Sequence, residues 1–336
     1  MHGFDGIIGQ EAIIRHFEDA IATGKVSHAY ILSGEDGYGK HLLAHRAAAA
    51  LLCTSEDDIR PCGVCPSCFQ AEAGTNPDII NVIHEKQLIS VGDIRTQVVE
   101  DIQMKPMSGK YKVYIIDEAE RMNEQAQNAL LKTLEDPPSY AVIFLLAANT
   151  GSFLPTILSR CISLPLRPVK TEAIAELLTS GYNLPDYMAK TCASFSGGSI
   201  GKAIRYATNA DFNNTRDAVI RLMSGIDTMS HGELMDSLSF FDADKATRGS
   251  NTRQVDDFLD MLSLWMRDML MFKATQDPNR LVFHDSVMEI KRQASLRSFE
   301  NINDAIDAIE KARKRLRAFV YFDIAMEMLL MALRAV

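Results

Sequence analysis

The sequence predicts a parallel, three-layer α/β domain followed by an all-helical half. Short apolar runs at Ala29–Ser33, Ile79–Ile83, Val113–Asp117, Ala141–Ala148 and Cys161–Leu164 alternate with helix-like stretches. Strands and helices in that order build a parallel sheet. The run Ala141 to Ala148 is apolar at every position, as a strand covered on both faces must be. From Thr171 onward no convincing strand is visible, and Asp211 to Val336 reads as long, helical and Met-rich.

Each element has its own warrant. Ile7 to Gly24 is expected to be a helix, with Ile13, Ile14, Phe17, Ala20 and Ile21 at helical spacing and Gly24 as its stop. A helix over Leu42–Leu52 follows the first strand, and Pro61 to Thr75 reads as loop. Ile94, Val98 and Ile102 recur at i, i+4, i+8 on one helix face. Asn123 to Glu135 is amphipathic, with Ala126, Ala129, Leu130, Thr133 and Leu134 inward and Pro137-Pro138 at its end. Thr171–Thr179, Pro185–Ser196 and Ser199–Thr208 read as three short helices, the last two broken apart by Gly197-Gly198.

Composition narrows the function classes. The chain has 336 residues, 47% hydrophobic and 24% charged, enough to bury two or three cores. A net charge of −9 excludes a general polyanion binder, so any DNA contact is local. No basic start with an apolar h-region is visible, and the longest apolar run is too short to span a bilayer. A cytoplasmic location is the resulting expectation. Cysteines there are reduced, so a cluster of them points to metal before disulfide.

Four constellations carry chemistry. Gly34-Glu-Asp-Gly37-Tyr-Gly39-Lys40-His41 lies between a strand and a helix and meets G-x-x-x-x-G-K. Such a loop turns backbone N–H groups and a helix N-terminus toward phosphate. The next position should be Ser or Thr for Mg²⁺; here it is His41. The bland alternative is a glycine turn joining strand to helix. Asp117-Glu118 ends an apolar strand, as in a Walker B motif, where Asp holds Mg²⁺ and Glu polarises water. Alone, such a pair is often just favourable charge at a helix start. Cys53, Cys62, Cys65 and Cys68, spaced C-x8-C-x2-C-x2-C, can close a structural tetrahedral Zn²⁺ site. Unliganded thiols and an iron–sulfur cluster are the alternatives. Arg160, in Ser159-Arg160-Cys161, is either an ordinary surface arginine or an arginine finger for a neighbour's γ-phosphate.

Other features read more plainly. His28 and His84 are expected to pack or cap. Lys311, Arg313, Lys314, Arg315 and Arg317 are expected on the solvated face of a helix whose apolar face is Ala312, Leu316, Phe319 and Val320. Trp265, Met266, Met269 and Met271 are expected in a core or subunit interface.

These motifs, in this order, resemble the bacterial DNA polymerase III clamp-loader subunits of the AAA+ class. Phe4-Asp-Gly-Ile-Ile-Gly-Gln10 resembles the segment near adenine in that family, and Ser27 to Gly34 its first strand. Asn128-Ala-Leu-Leu-Lys-Thr-Leu-Glu-Asp-Pro-Pro138, Thr156-Ile-Leu-Ser-Arg-Cys161 and the inserted cysteines match its later motifs. The resemblance is strong over the first half and weak beyond Thr208. It implies a RecA-like AAA+ parallel-sheet domain over 1–166 with a zinc module near 53–68. A helical lid over 167–208 and a helical collar over 209–336 would follow.

Two branches of the family are candidates. The gamma/tau branch has an intact P-loop; the delta prime branch has a degenerate one. His41 favours the second, as does Lys202, where ATPase members usually carry a sensor arginine. Retained Lys40, Asp117 and Glu118 keep ATP with Mg²⁺ open. The resemblance then implies a hetero-pentamer with delta and gamma/tau subunits that opens the sliding clamp and loads it on primed DNA. Arg160 would complete the neighbour's ATP site. Two other readings stand beside it: an active AAA+ ATPase, and a free-standing zinc-dependent DNA binder, which the net charge of −9 disfavours.

Overall fold

A computed structural model describes residues 2–55, 59–84, 88–209, 211–239, 241, 252–318 and 320–334. It forms two compact units, Met1–Leu177 with Ser196–Ala203, and Leu178–Phe195 with Ile204–Val336.

The first unit is built on β1 (Ala29–Ser33), β2 (Ile79–Asn81), β3 (Lys112–Ile116), β4 (Ala141–Ala147) and β5 (Ile162–Pro165), all parallel, in the order β2-β3-β4-β1-β5. Alternate residues of each strand point to opposite faces, and the side chains sort accordingly. Ile31, Tyr114, Ile116, Ile143 and Leu145 pack on one face with α4 (Val91–Ile94) and α5 (Glu124–Glu135). Tyr30, Leu32, Val113, Ile115, Val142 and Phe144 pack on the other with α1 (Glu11–Thr23) and α2 (Lys40–Leu52). Phe17, Tyr30 and Phe144 sit with ring centroids 5.1–5.8 Å apart. Removing a buried ring of this kind typically costs about 3–5 kcal/mol.

Several boundaries depart from the sequence reading. Ile7 to Gln10 is not helical; Gly9 takes φ +76°, outside the helical range, against Val169, and α1 begins at Glu11. The expected loop after Pro61 contains a helix, α3 (Pro66–Glu72), whose N-cap acceptor is the Cys65 sulfur. Ile94, Val98 and Ile102 are all buried together as expected. They lie, however, on a composite of α4, a π turn over Arg95–Glu100 and a 3₁₀ turn over Asp101–Gln103. β2 stops at Asn81 rather than Ile83. Ile83 turns its N–H and C=O to the Gln97 amide at 2.8 and 2.7 Å. Asp78 is fully buried and accepts from the N–H groups of Met107, Ser108 and Gly109. Burial opposes its charge, but these donors hold its carboxyl below the ordinary range.

From Thr171 onward no strand occurs among the described residues. α7 (Thr171–Tyr182), α8 (Asp186–Phe195) and α9 (Ile200–Thr208) come first. α10 (Asp211–Gly225), α11 (His231–Asp236), α12 (Thr252–Thr275), α13 (Val287–Leu296), α14 (Phe299–Arg317) and α15 (Phe322–Leu333) follow. The second unit's core centres on Trp265, fully buried with Met266 and Met269, its Nε1 donating to Gln293 Oε1 at 2.9 Å. The expected solvated face of α14 needs one correction. Arg313 is not solvated: it pairs with Asp256 and Asp260 of α12, each at 2.7 Å. Lys311, Lys314 and Arg317 are exposed, and Phe319 lies outside the described residues. No helix among the described residues is long and apolar enough to cross a membrane.

Candidate functional site

Parallel strands bring their C-terminal ends to one edge. There the loop after β1 and the acidic pair after β3 flank the end of β4, two strand spacings apart, or about 10 Å. Ligands of open α/β sheets bind outside such ends, where successive crossovers leave in opposite directions. Here that point lies between β1 and β4.

The loop over Gly34–Lys40 is tied on every side. Gly34 N–H donates to Ala147 O of β4 at 3.1 Å. Gly37 and Gly39 adopt φ +81° and +93°, which favour glycine, and Gly39 leads into α2 without a side-chain cap. Lys40 folds its ammonium back onto the loop, donating to Gly34 O at 2.5 Å and Glu35 O at 3.1 Å. His41, where a hydroxyl is wanted for Mg²⁺, is exposed and lies parallel to His45 at 5.9 Å. Burial, then the neighbouring His41, lowers the His45 pKa.

The apex of the loop is latched to the start of α9. Gly201 N–H donates to Gly37 O at 2.9 Å, and Ser199 Oγ to Asp36 O at 2.9 Å. The backbones touch: a methyl group at 201 would sit 2.7 Å from Gly37 Cα.

Asp117 is exposed at the end of β3 and accepts from Glu118 N–H at 2.9 Å. Glu118 itself is left-handed, φ +48°, a conformation that costs a non-glycine residue about 1–3 kcal/mol. Its carboxylate is paired with Arg121 at 2.8 Å and approaches His84 at 3.7 Å. His84 thus meets a site residue rather than only packing.

The four cysteine sulfurs converge, all within 4.8 Å of one another. Cys53 and Cys65, and Cys62 and Cys68, are 4.0 Å apart. A tetrahedral site with Zn–S of about 2.3 Å has sulfur–sulfur edges of about 3.8 Å, so the donor set fits zinc with small contraction. Backbone N–H groups of Cys62, Cys65 and Cys68 donate to the preceding cysteine's sulfur at 3.4 Å, which favours thiolates. Burial raises the Cys65 thiol, but hydrogen bonds from Thr54 and Cys68 outweigh it and bring it down to about 6.

Arg160 follows α6 (Pro155–Leu158). Its Nη1 donates to Thr156 O at 3.0 Å and its Nη2 pairs with Glu135 at 2.9 Å. About a third of the side chain is exposed.

Comparison with known proteins identifies the setting. Two family models match, described as DNA polymerase III, delta subunit, over residues 9–170, and DNA polymerase III, delta subunit, C terminal, over 213–334. The chain belongs to the DNA polymerase III delta-subunit family. Subunit delta' of Bacillus subtilis is 27% identical over 97% of this chain and 96% of its own length. Subunit tau of Salmonella typhimurium is 38% identical over 52% of this chain, which spans 27% of the tau length. A solved gamma subunit-related protein of Thermotoga maritima aligns at TM-score 0.42 and 17% identity, covering 94% of this chain and 98% of that one. The parallel α/β domain and the helical half expected from the sequence are both present in the structure.

Two features of this delta-family site were not visible in the sequence. The Ser199–Gly201 latch joins segments more than 160 residues apart, and only the G-S-I-G spacing hinted at a tight helix start. Asn149, exposed just beyond β4 between the loop and Asp117, is a further polar group at the same edge. The latch makes a specific prediction. Gly201→Ala in an ordinary helix stabilises by about 1 kcal/mol, whereas overpacking costs about 1–3 kcal/mol. Thermal unfolding of the variant is therefore expected to begin lower than wild type; a higher Tm would show that the contact yields.

Proposed function

We propose that this chain acts as a delta prime-type subunit of the DNA polymerase III clamp loader. It assembles with gamma/tau and delta subunits, helps open the sliding clamp for loading on primed DNA, and supplies Arg160 to a neighbour's ATP site. The observation that carries this reading is one contrast within one chain. Its own phosphate loop is engaged internally, by Lys40 and by the latch, while Arg160 stands partly exposed on a hydrogen-bonded turn. The exposed apolar face of α15, Ile324, Met328 and Met331, supports a collar contact with partner subunits. The cysteine cluster supports a structural zinc, held by Cys53, Cys62, Cys65 and Cys68; bound there, it would cross-link the module and leave no open coordination position.

The retained Lys40, Asp117 and Glu118 favour the second reading, an active ATPase subunit. Steady-state ATP turnover by the purified chain with Mg²⁺ separates the two. No turnover is expected, and none from His41→Thr, because Glu118 is still paired with Arg121. Turnover on the scale of about 1 s⁻¹ or faster by the isolated chain would overturn the proposal in favour of the ATPase reading. Failure to co-purify with gamma/tau-type subunits would overturn both.

A further inference from the structure

We propose that Glu135 is the positioning residue of Arg160, a role that rests on the reading of Arg160 as acting in trans. Glu135 is the last residue of α5, whose inward face, Ala126, Leu130, Thr133 and Leu134, is buried. Asp136 caps the helix and Pro137-Pro138 come next, so the chain cannot continue as helix past this point. Arg160 is fixed from its own side: its N–H donates to Ile157 O at 3.1 Å and its Nη1 to Thr156 O at 3.0 Å. The guanidinium is thus gripped by acceptors on two separate elements, one of them charged. Its Nε takes part in neither contact, which leaves donors of the planar fork for a phosphate.

Helix stability does not explain the carboxylate. An acid in the last turn opposes the helix dipole, and an ion pair this exposed contributes little to folding. Its physical effect is on geometry. A carboxylate 2.9 Å from Nη2 selects the long side chain's rotamer before any partner arrives. Ordering it in advance lowers the entropy lost when the guanidinium meets a developing negative charge.

The test uses the full chain assembled with its ATPase partners, with kcat and KM for ATP measured together. Glu135→Ala is expected to lower the Arg160-dependent part of kcat about tenfold; misplacing a reacting group by about 1 Å can cost 10²-fold. KM should not move, since Glu135 touches no nucleotide. Glu135→Gln, which keeps an oxygen acceptor at the same reach, should restore most of the loss. In an Arg160→Ala background, Glu135→Ala should have no further effect. An unchanged kcat in Glu135→Ala, with Arg160→Ala still defective, overturns this proposal alone. An equal loss with and without Arg160 overturns it as well. If Arg160→Ala itself leaves kcat intact, the reading beneath it fails too.

Discussion

Replacing Arg160 by alanine is expected to lower ATP turnover at the adjacent site by about 10³–10⁵-fold, the worth of an arginine finger in other NTPases. In an assembled complex with several ATP sites, only the share contributed by that site would be lost. Assembly should survive. Arg160 gives its side-chain contacts to Thr156 O, Ser159 and Glu135, all at the surface, and such pairs contribute about 0.2–1 kcal/mol. Arg160→Lys keeps the charge but loses the planar fork, so it should fall between wild type and alanine. Clamp- and DNA-stimulated ATP turnover of the reconstituted complex is the measurement. Full turnover with Arg160→Ala would remove this residue from the chemistry.

The second large effect concerns Cys68→Ser. Among the described residues, the module's own buried cluster consists of Cys53, Cys62 and Cys68, with Cys65 packed against them. Among the described residues, that sulfur cluster is separate from the two apolar clusters on the sheet faces. Apparent binding energies of structural zinc in finger peptides are about 10–16 kcal/mol, far above anything this short segment could otherwise supply. The wild-type chain, purified without chelator, should carry about one zinc, and Cys68→Ser much less. Amide exchange should accelerate across α3 and the cysteine turns, while β1, β3 and β4 stay protected. Metal analysis showing no zinc in wild type would end the zinc assignment.

The parts legible in the sequence were those where one physical constraint dominates. β1 and β4 are buried on both faces, so an unbroken apolar run was enough to place them. The loop over Gly34–Lys40 was legible as a strand-to-helix turn because its glycines stand where the backbone takes positive φ. α3 was missed because it is short and capped by a cysteine, not by a residue that usually caps helices. Arg313 was misplaced because local periodicity counts only its own helix. Its partners Asp256 and Asp260 lie more than 50 residues away. The pairing of Glu118 with Arg121 and His84 depends on a left-handed backbone that no local pattern announces.

The end of β2 has a consequence for crowding. An edge strand offers free ladder groups to any similar sheet nearby. In a complex of related subunits, the wrong sheet edge would always be at high local concentration. Here the strand is cut at Asn81, and the next outward-facing N–H and C=O, those of Ile83, are consumed by Gln97. A single side-chain amide thereby acts as a dummy strand. Beyond Asn81 this edge thus offers no free outward pair at Ile83 for a further strand.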